Sequence, residues 1–364
     1  MKILFYFGHP AQFMMLRQTI HLLKEKGWKV KIVIKTKDVL EALLKDSGLE
    51  YENILQKGRR DNSASIFLAI LKRDFRLFQI VRKFKPKLMI GTDPSIAHVS
   101  WLLRIYSITI VEDDYHVIRN LVRITYPFTK TILCPQVCEV GNYEKKKTGY
   151  AGYMKLGYLH PAVFVQDQSI IEKYNFASRF ILIRLSALNA YHDYGIGGIT
   201  SDLLVEIISV CNSYGYEIKL STEFELEQQF LRYKMDIEIK DMHHVLSAAS
   251  LLVSDSQSMS VEAAMLGVPS IRYSGFAGKI SVLEELENSY GLTFGIPIGS
   301  TAAIFTKLND FLSDDNLYEE FQQRRTKMLS EKINLTSFLL WFIEGYPQSV
   351  KTMKENPDYQ YNFK

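Results

Sequence analysis

Polar side chains suited to binding a phosphorylated sugar follow a short apolar run in the second half of the chain. The run predicts the end of a buried strand, and a helix is predicted from about Met259. A helix that begins beyond a strand's carboxyl end presents backbone N–H groups without intrahelical acceptors, and such groups bind phosphate. The candidate side chains are two hydroxyls for phosphate, an amide between them and a carboxylate for a ribose diol: Ser256, Ser258, Gln257 and Glu262.

These residues also have an ordinary structural interpretation. Ser256 or Ser258 could serve only as the N-cap of the helix, and Glu262 could be solvated or paired with a neighbouring cation. Both interpretations are compatible with the local pattern.

Three polar residues in the first half of the chain are candidates for acid–base chemistry. His9 follows the first predicted strand, and an imidazole titrates near neutral pH. Asp93 and Asp113 follow two later strands, where a carboxylate could act as a general base. Each of the three could instead cap the helix that follows it.

A second cationic group of candidates lies before the stretch around Ser256. Arg184 ends a predicted strand and His192 follows in a long polar turn, so both could neutralise a diphosphate. A buried ion pair between Arg184 and Asp193 is the structural alternative. His243 opens the next helix beside His244, and neighbours on a helix lie roughly 100° apart, so we expect only His243 to face the ligand.

Strands alternate with helical runs along the whole chain, with short connections between them. This alternation predicts parallel sheets that are covered on both faces. A composition change around residues 143–157 predicts a domain boundary, giving an N-terminal domain (1–157), a second domain (158–333) and a C-terminal helix with a tail (334–364). Ligands of parallel sheets bind beyond the strands' carboxyl ends, so we expect the polar turns to line one cleft.

Composition and missing motifs exclude several classes of protein. The chain has 364 residues and a net charge of only +4, which does not suggest a nucleic-acid binder, because such proteins usually show a concentrated basic face. Its three cysteines and the absence of a signal peptide favour the cytoplasm, and no apolar run approaches the roughly 18 residues of a membrane span. The glycine patterns of nicotinamide and P-loop sites and the spacing of metal ligands are also missing, so we expect no cofactor and no metal.

Several short motifs, in order along nearly the whole chain, resemble those of a bacterial and archaeal family described as a domain of unknown function with a GT-B glycosyltransferase-like fold. The motifs are Gly8-His9-Pro10-Ala11, Tyr158-Leu159-His160-Pro161, Ile183-Arg184, Asn189-Ala190-Tyr191-His192-Asp193, Asp241-Met242-His243-His244, Ser254-Asp255-Ser256 and Glu262 through Arg272. The resemblance implies an α/β fold with two Rossmann-like domains that face each other across a cleft. It also implies a C-terminal helix that returns to the first domain.

More distantly, the stretch around Ser256 is similar to the nucleotide-sugar site of UDP-N-acetylglucosamine 2-epimerase and of GT-B transferases. The similarity implies that Ser256 and Ser258 bind the diphosphate and that Glu262 binds the ribose. Gln257 stands where the epimerases have glycine, and the epimerase motif around the first strand is not reproduced.

The leading hypothesis is a cytoplasmic, metal-independent glycosyltransferase that takes a nucleotide-diphospho-sugar, such as a UDP-sugar, into cell-surface polysaccharide or glycolipid synthesis. Basic and aromatic residues between positions 72 and 78 favour a lipid-linked acceptor at the inner face of the membrane. Two alternatives are a nucleotide-sugar epimerase or hydrolase, and a binding protein that keeps the fold without the chemistry.

Overall fold

The computed structural model describes residues 1–35, 39–55, 63–186, 198–222 and 224–364. These residues divide into two units. One is formed by Met1–His160 with Lys332–Lys364, and the other by Pro161–Glu331. Each unit contains one parallel sheet, of seven strands in the first and five in the second.

The first unit alternates strands and helices from its first residues. Its elements are β1 (Lys2–Phe7), α1 (Pro10–Glu25), β2 (Lys29–Lys35), α2 (Leu40–Asp46), β3 (Tyr51–Leu55), α3 (Ser63–Phe84), β4 (Leu88–Gly91), α4 (Pro94–Leu102), β5 (Tyr106–Ile110), α5 (Arg119–Thr125), β6 (Thr131–Pro135), a 3-10 helix (Gly141–Lys146), β7 (Lys147–Tyr150) and α6 (Leu156–Leu159). The strand order is β3-β2-β1-β4-β5-β6-β7.

The second unit repeats the pattern on a smaller scale. Its elements are α7 (Gln168–Tyr174), β8 (Phe180–Leu185), α8 (Ser201–Ser213), β9 (Glu217–Thr222), two 3-10 helices (Gln228–Tyr233 and Ile239–Asp241), α9 (Met242–Ala248), β10 (Leu251–Ser254), α10 (Gln257–Leu266), β11 (Ser270–Tyr273), α11 (Ser281–Asn288), β12 (Phe294–Ile296), α12 (Thr301–Leu312) and α13 (Leu317–Glu331). The strand order is β12-β11-β10-β8-β9. The α/β fold with two parallel sheets expected from the sequence is therefore confirmed.

The interior strand β1, which lies between β2 and β4, shows why both faces of the larger sheet are covered. Phe5 and Phe7 stack on one face, where Phe7 also meets Phe13 of α1 edge to face. Leu4 and Tyr6 point to the other face and join a buried cluster with side chains of α3 and α4. The side chains of a strand point alternately to the two faces of its sheet. A strand that is apolar on both faces is therefore stable only when both faces are covered, because an exposed face would leave large apolar side chains in water.

The last part of the chain packs on the first unit. It consists of α14 (Leu335–Glu344), α15 (Gln348–Glu355) and a 3-10 helix (Pro357–Phe363). α14 contacts α1 and α6, and the side chain of Gln360 accepts a hydrogen bond from the backbone N–H of Ala151 at 2.6 Å. Among the helices of the described residues, none combines the length and the hydropathy that crossing a membrane requires.

A buried carboxylate joins three elements at the carboxyl end of the larger sheet. Asp93 caps α4, its Oδ1 accepting the backbone N–H of Ser95 at 3.1 Å. Lys35, at the end of β2, lies with its Nζ 3.3 Å from Asp93 Oδ2. Arg73 of α3 lies with its Nε 3.6 Å from Asp93 Oδ1. Burial of Asp93 opposes ionisation, but Lys35, Arg73 and the bonds from Ser95 outweigh it, so the pKa of Asp93 lies below its ordinary value.

We predict that Asp93→Asn lowers the free energy of unfolding by about 3–5 kcal/mol at pH 7, because it leaves two partly or fully buried cations uncompensated. Folding lowers the pKa of this carboxylate, so its ionised form stabilises the folded protein at pH values above the unfolded pKa of roughly 4. This stabilisation is lost as the pH falls through the pKa of the folded state. The difference between wild type and variant should therefore shrink on acidification below about pH 4. Urea denaturation, followed by circular dichroism at pH 7 and below about pH 4, measures this difference in the free energy of unfolding.

The matched control is Asp46→Asn, which changes an exposed carboxylate of the same unit. It should alter the free energy of unfolding by no more than about 0.5 kcal/mol. An Asp93→Asn variant as stable as this control would contradict the role assigned to the cluster.

Candidate functional site

Each sheet has a point where the strand order reverses, and several of the predicted site residues lie at these points. In the 161–331 unit the chain passes from β8 to β9 on one side and returns to β10 on the other side of β8. In the first unit the same reversal lies between β1 and β4. Open parallel sheets bind ligands beyond the carboxyl ends of the strands at such a reversal.

The start of α10 lies at the reversal of the 161–331 unit. Ser256 is the N-cap, and its Oγ accepts the backbone N–H of Met259 at 3.4 Å. The helix therefore begins at Gln257, two residues earlier than the apolar spacing predicted. Gln257 and Ser258 occupy the first helical positions, where backbone N–H groups have no acceptor within the helix. The hydroxyl of Ser256 can still donate its own hydrogen, because the cap uses only its oxygen.

Glu262 and His243 are brought together beside this helix start. Glu262 lies four residues after Ser258, so the two side chains share one face of α10. His243 of α9 lies with its Nε2 3.6 Å from Glu262 Oε1, and both side chains are largely buried, at 19% and 12% exposed. The adjacent His244 turns elsewhere: its Nδ1 accepts the backbone N–H of Asp167 at 3.0 Å, and its ring packs on Phe164.

Asp255 fastens the turn between β10 and α10 to the end of β8. Its Oδ1 accepts hydrogen bonds from the backbone N–H and the hydroxyl of Ser186, at 2.7 and 2.8 Å. The backbone N–H of Ile199 also donates to this carboxylate, while burial raises its pKa above the ordinary value. Asp255 is thus bonded to Ser186 and Ile199. His192 belongs to the segment 187–197 and lies outside the described residues.

Arg184 lies at the same reversal, on β8, which lies between β10 and β9. Its backbone pairs with Ser254 of β10 on one side and with Ser221 of β9 on the other. The guanidinium Nη1 donates to Ser221 Oγ at 2.8 Å, and the carbonyl oxygen accepts from Ser254 Oγ at 2.9 Å. Arg184 therefore supplies a positive charge at the reversal, next to the turn that leads into α10.

Gln257 is held by residues for which the sequence indicated no role. Its Oε1 accepts from Nη1 of Arg272 at 2.6 Å, and its Nε2 donates to Ser274 Oγ at 2.7 Å. Arg272 is fully buried, and this burial lowers its pKa to about 10 against the opposing effect of Glu287 and Glu284. The side-chain amide of Gln257 thus supports the turn, which leaves its main-chain N–H as the group it can offer to a ligand.

His9 and Asp93 lie at the reversal of the first unit. His9 caps α1, with its Nδ1 accepting the backbone N–H of Ala11 at 3.2 Å. A neutral imidazole in this bond carries its proton on Nε2, so it is a donor at that atom. Asp93 has both oxygens within the cluster that contains Lys35 and Arg73.

Asp113 follows β5, the next strand along, and its side chain is exposed. The acidic residues on either side of it have structural partners. Glu112 accepts the backbone N–H of Met154 at 2.6 Å and lies 3.2 Å from the Nζ of Lys155, and Asp114 accepts a backbone N–H at 2.7 Å. Among the described residues, no three His, Cys, Asp or Glu side chains are grouped as a metal site would require.

Solved structures with the same fold include enzymes that handle nucleotide sugars. An S. aureus MnaA–UDP co-structure has a TM-score of 0.71 and 12% identity, over 96% of this chain and 97% of that one. The UDP-GlcNAc 2-epimerase from Neisseria meningitidis, bound to UDP-GlcNAc, has a TM-score of 0.69 and 14% identity, over 94% and 99%. The spinosyn rhamnosyltransferase SpnG, complexed with spinosyn aglycone, has a TM-score of 0.58 and 14% identity, over 94% and 100%. The GT-B-like fold expected from the sequence is therefore confirmed.

No curated protein matches this chain in sequence. A family model does match it, over residues 6–285, which is most of its length. This match confirms the resemblance that the short motifs indicated. The chain belongs to the family described as "Protein of unknown function (DUF354)".

Proposed function

We propose that the chain is a glycosyltransferase that uses a nucleotide-diphospho-sugar donor, in the synthesis of a cell-surface polysaccharide or glycolipid. The observation that carries the proposal is the start of α10 at the strand-order reversal, with Ser258, Glu262 and His243 grouped beside it. The two N–H groups without acceptors in the helix suit the diphosphate of a nucleoside diphosphate, and the neighbouring carboxylate suits the hydroxyls of its ribose.

The 161–331 unit holds the donor in this proposal. The diphosphate binds the main-chain N–H groups of Gln257 and Ser258 and the hydroxyls of Ser256 and Ser258. Arg184 adds positive charge, and His192, which lies outside the described residues, is proposed as a further group that binds the diphosphate. These groups stabilise the negative charge that develops on the leaving diphosphate, so the proposed reaction is metal-independent.

Glu262 binds the ribose hydroxyls in the proposed complex. Its partner His243 lies within 3.6 Å and fixes the direction of the carboxylate. A carboxylate is the appropriate acceptor there because a diol offers two O–H donors.

The first unit binds the acceptor, at His9, Asp93 and Asp113. The three residues differ in their fitness as a base. A base works best with a pKa near the working pH, and the pKa of Asp93 is held low by Lys35 and Arg73 although burial opposes this. Nδ1 of His9 is used by its cap. We therefore assign proton removal from the acceptor to the exposed carboxylate of Asp113, and positioning to His9 and Asp93.

The comparisons support the proposed donor class. Structures with this fold contain UDP or UDP-GlcNAc, and one is a rhamnosyltransferase. They also favour a second candidate, a nucleotide-sugar epimerase or hydrolase, because the fold is closer to the Neisseria epimerase (TM-score 0.69) than to the rhamnosyltransferase (0.58). The proposed setting is the cytoplasm at the inner face of the membrane, with a lipid-linked acceptor.

We predict that Glu262→Gln and Ser258→Ala each weaken nucleoside diphosphate binding by at least about tenfold, because each removes a hydrogen bond to the ribose or to a charged phosphate. Isothermal titration calorimetry with UDP and other nucleoside diphosphates measures the dissociation constants. Glu319→Gln, an exposed change on α13 of the same unit, is the matched control and should bind as wild type does.

Unchanged affinity in both variants would contradict the donor site. If wild type binds none of the nucleotides, the result favours a protein that keeps the fold without the chemistry.

A further prediction separates the transferase from the epimerase or hydrolase. A transferase needs an acceptor, so wild-type protein incubated with a bound nucleotide sugar alone should leave the sugar intact. Proton NMR of the nucleotide sugar follows both epimerisation at the ring carbons and release of free sugar. Enzymatic turnover without an acceptor, lost in Glu262→Gln, would replace the transferase with the second candidate.

A further inference from the structure

Within the part of the chain that the structure describes, one side of α3 is an exposed stripe that combines apolar and cationic side chains. The exposed residues of the helix recur every three or four positions, so they lie along one face. This face, called the α3 face below, consists of Leu68, Leu71, Lys72, Phe75, Gln79, Arg82 and Lys83. The three apolar side chains are 64%, 47% and 62% exposed, and no member of the set is acidic.

The opposite side of α3 holds the helix firmly on the sheet. Leu77 and Val81 are buried in the core cluster with β1 and β4. Arg73 is buried beside Asp93, and Asp74 lies 2.8 Å from Nδ1 of His98 on α4. The packing therefore fixes which side chains are presented outward, and it keeps the nearby carboxylates turned toward the protein.

A cationic groove borders the α3 face. It has a volume of about 1020 Å³ and is lined between α3 and the sheet by five cations, Lys2, Lys31, Lys72, Arg76 and Lys83. Among the described residues that line it, the one carboxylate is Glu52, which pairs with Lys31 at 2.6 Å. An excess of positive charge in a concave surface attracts phosphate groups.

We propose that the α3 face is a docking surface for an anionic lipid bilayer. The apolar side chains enter the boundary between headgroups and acyl chains, and the cations of the face and the groove bind headgroup phosphates. A helix with apolar residues on its outer side, flanked by Lys and Arg, has the composition of helices that lie in the plane of a membrane surface. Nucleic acid would use the cations but would leave the exposed leucines and Phe75 without a role.

The position of the face fits a lipid-linked acceptor. α3 leads into β4 and so runs opposite to it, which places the beginning of α3 at the carboxyl end of the sheet. Arg73 of α3 lies 3.6 Å from Asp93, which follows the carboxyl end of β4, so this part of α3 lies at the carboxyl end of the sheet. Leu68 and Leu71 therefore lie at the end of the sheet where His9 and Asp93 are found. The inference deepens the proposed acceptor class, but vesicle binding does not depend on nucleotide chemistry.

The test is co-sedimentation of the full chain with phosphatidylcholine vesicles that contain about 30% phosphatidylglycerol, at low and at high salt. Wild type should bind these vesicles at low salt and should bind pure phosphatidylcholine at least tenfold more weakly. The variant Lys72→Gln/Lys83→Gln should lose about fivefold in partition for each cation removed. Leu71→Ser/Phe75→Ser should lose at least tenfold, because the inserting apolar surface is gone.

Matched controls come from surfaces far from α3. Right-handed crossovers place α1 and α2 on the sheet face opposite α3, so Lys24→Gln/Lys45→Gln removes two exposed cations there. Tyr318→Ser removes a 61% exposed aromatic ring from α13. Both controls should bind the anionic vesicles within about twofold of wild type.

Three outcomes would overturn the proposal: no binding to anionic vesicles at low salt, equal losses in the α3 variants and the controls, or tighter binding to a duplex DNA or RNA than to the vesicles. Glu262→Gln should bind vesicles as wild type does while its nucleotide affinity falls. Failure of the docking surface and failure of the proposed donor site are therefore read separately.

Discussion

His9, Asp93 and Ser256 each accept a hydrogen bond from the first turn of a helix that follows an interior strand. The remaining structure around both strand-order reversals depends on these caps. The first turn of a helix has N–H groups without intrahelical acceptors, and burying such a group without a partner is costly. By satisfying some of these groups and not others, the caps decide where each helix begins and which N–H groups remain without an acceptor in the helix.

In the first unit the capping residue Asp93 also anchors elements that are distant in sequence. Asp93 draws Lys35 and Arg73 to the carboxyl end of β4, which ties β2, α3 and α4 to one point. The carboxylate stays ionised because the two cations and the bonds from Ser95 outweigh the cost of burying it. This anchoring makes Asp93 a poor proton acceptor. It also sets the rotation of α3, which presents its apolar and cationic side chains outward.

In the second unit the cap works together with a buried arginine. Ser256 accepts a hydrogen bond from the N–H of Met259, while Arg272 and Ser274 hold the side-chain amide of Gln257. A glutamine in the turn therefore packs inward instead of covering the helix start. Asp255 secures the same turn to Ser186. The result is a fixed turn whose first N–H groups stand beside Ser258 and Glu262.

The sequence by itself determined the α/β class, the two parallel sheets, the presence of a helix after the turn at Ser256 and the family, because these follow from local periodicity, turn residues and short motifs. It also indicated both a capping and a chemical role for His9, Asp93 and Ser256. Only the tertiary structure showed which partners each residue has. Arg272 lies 15 residues from Gln257, and Arg73 lies 20 residues from Asp93, on other elements of the fold. No local pattern encodes such pairs, because they form only when strand order and helix packing bring distant parts of the chain together.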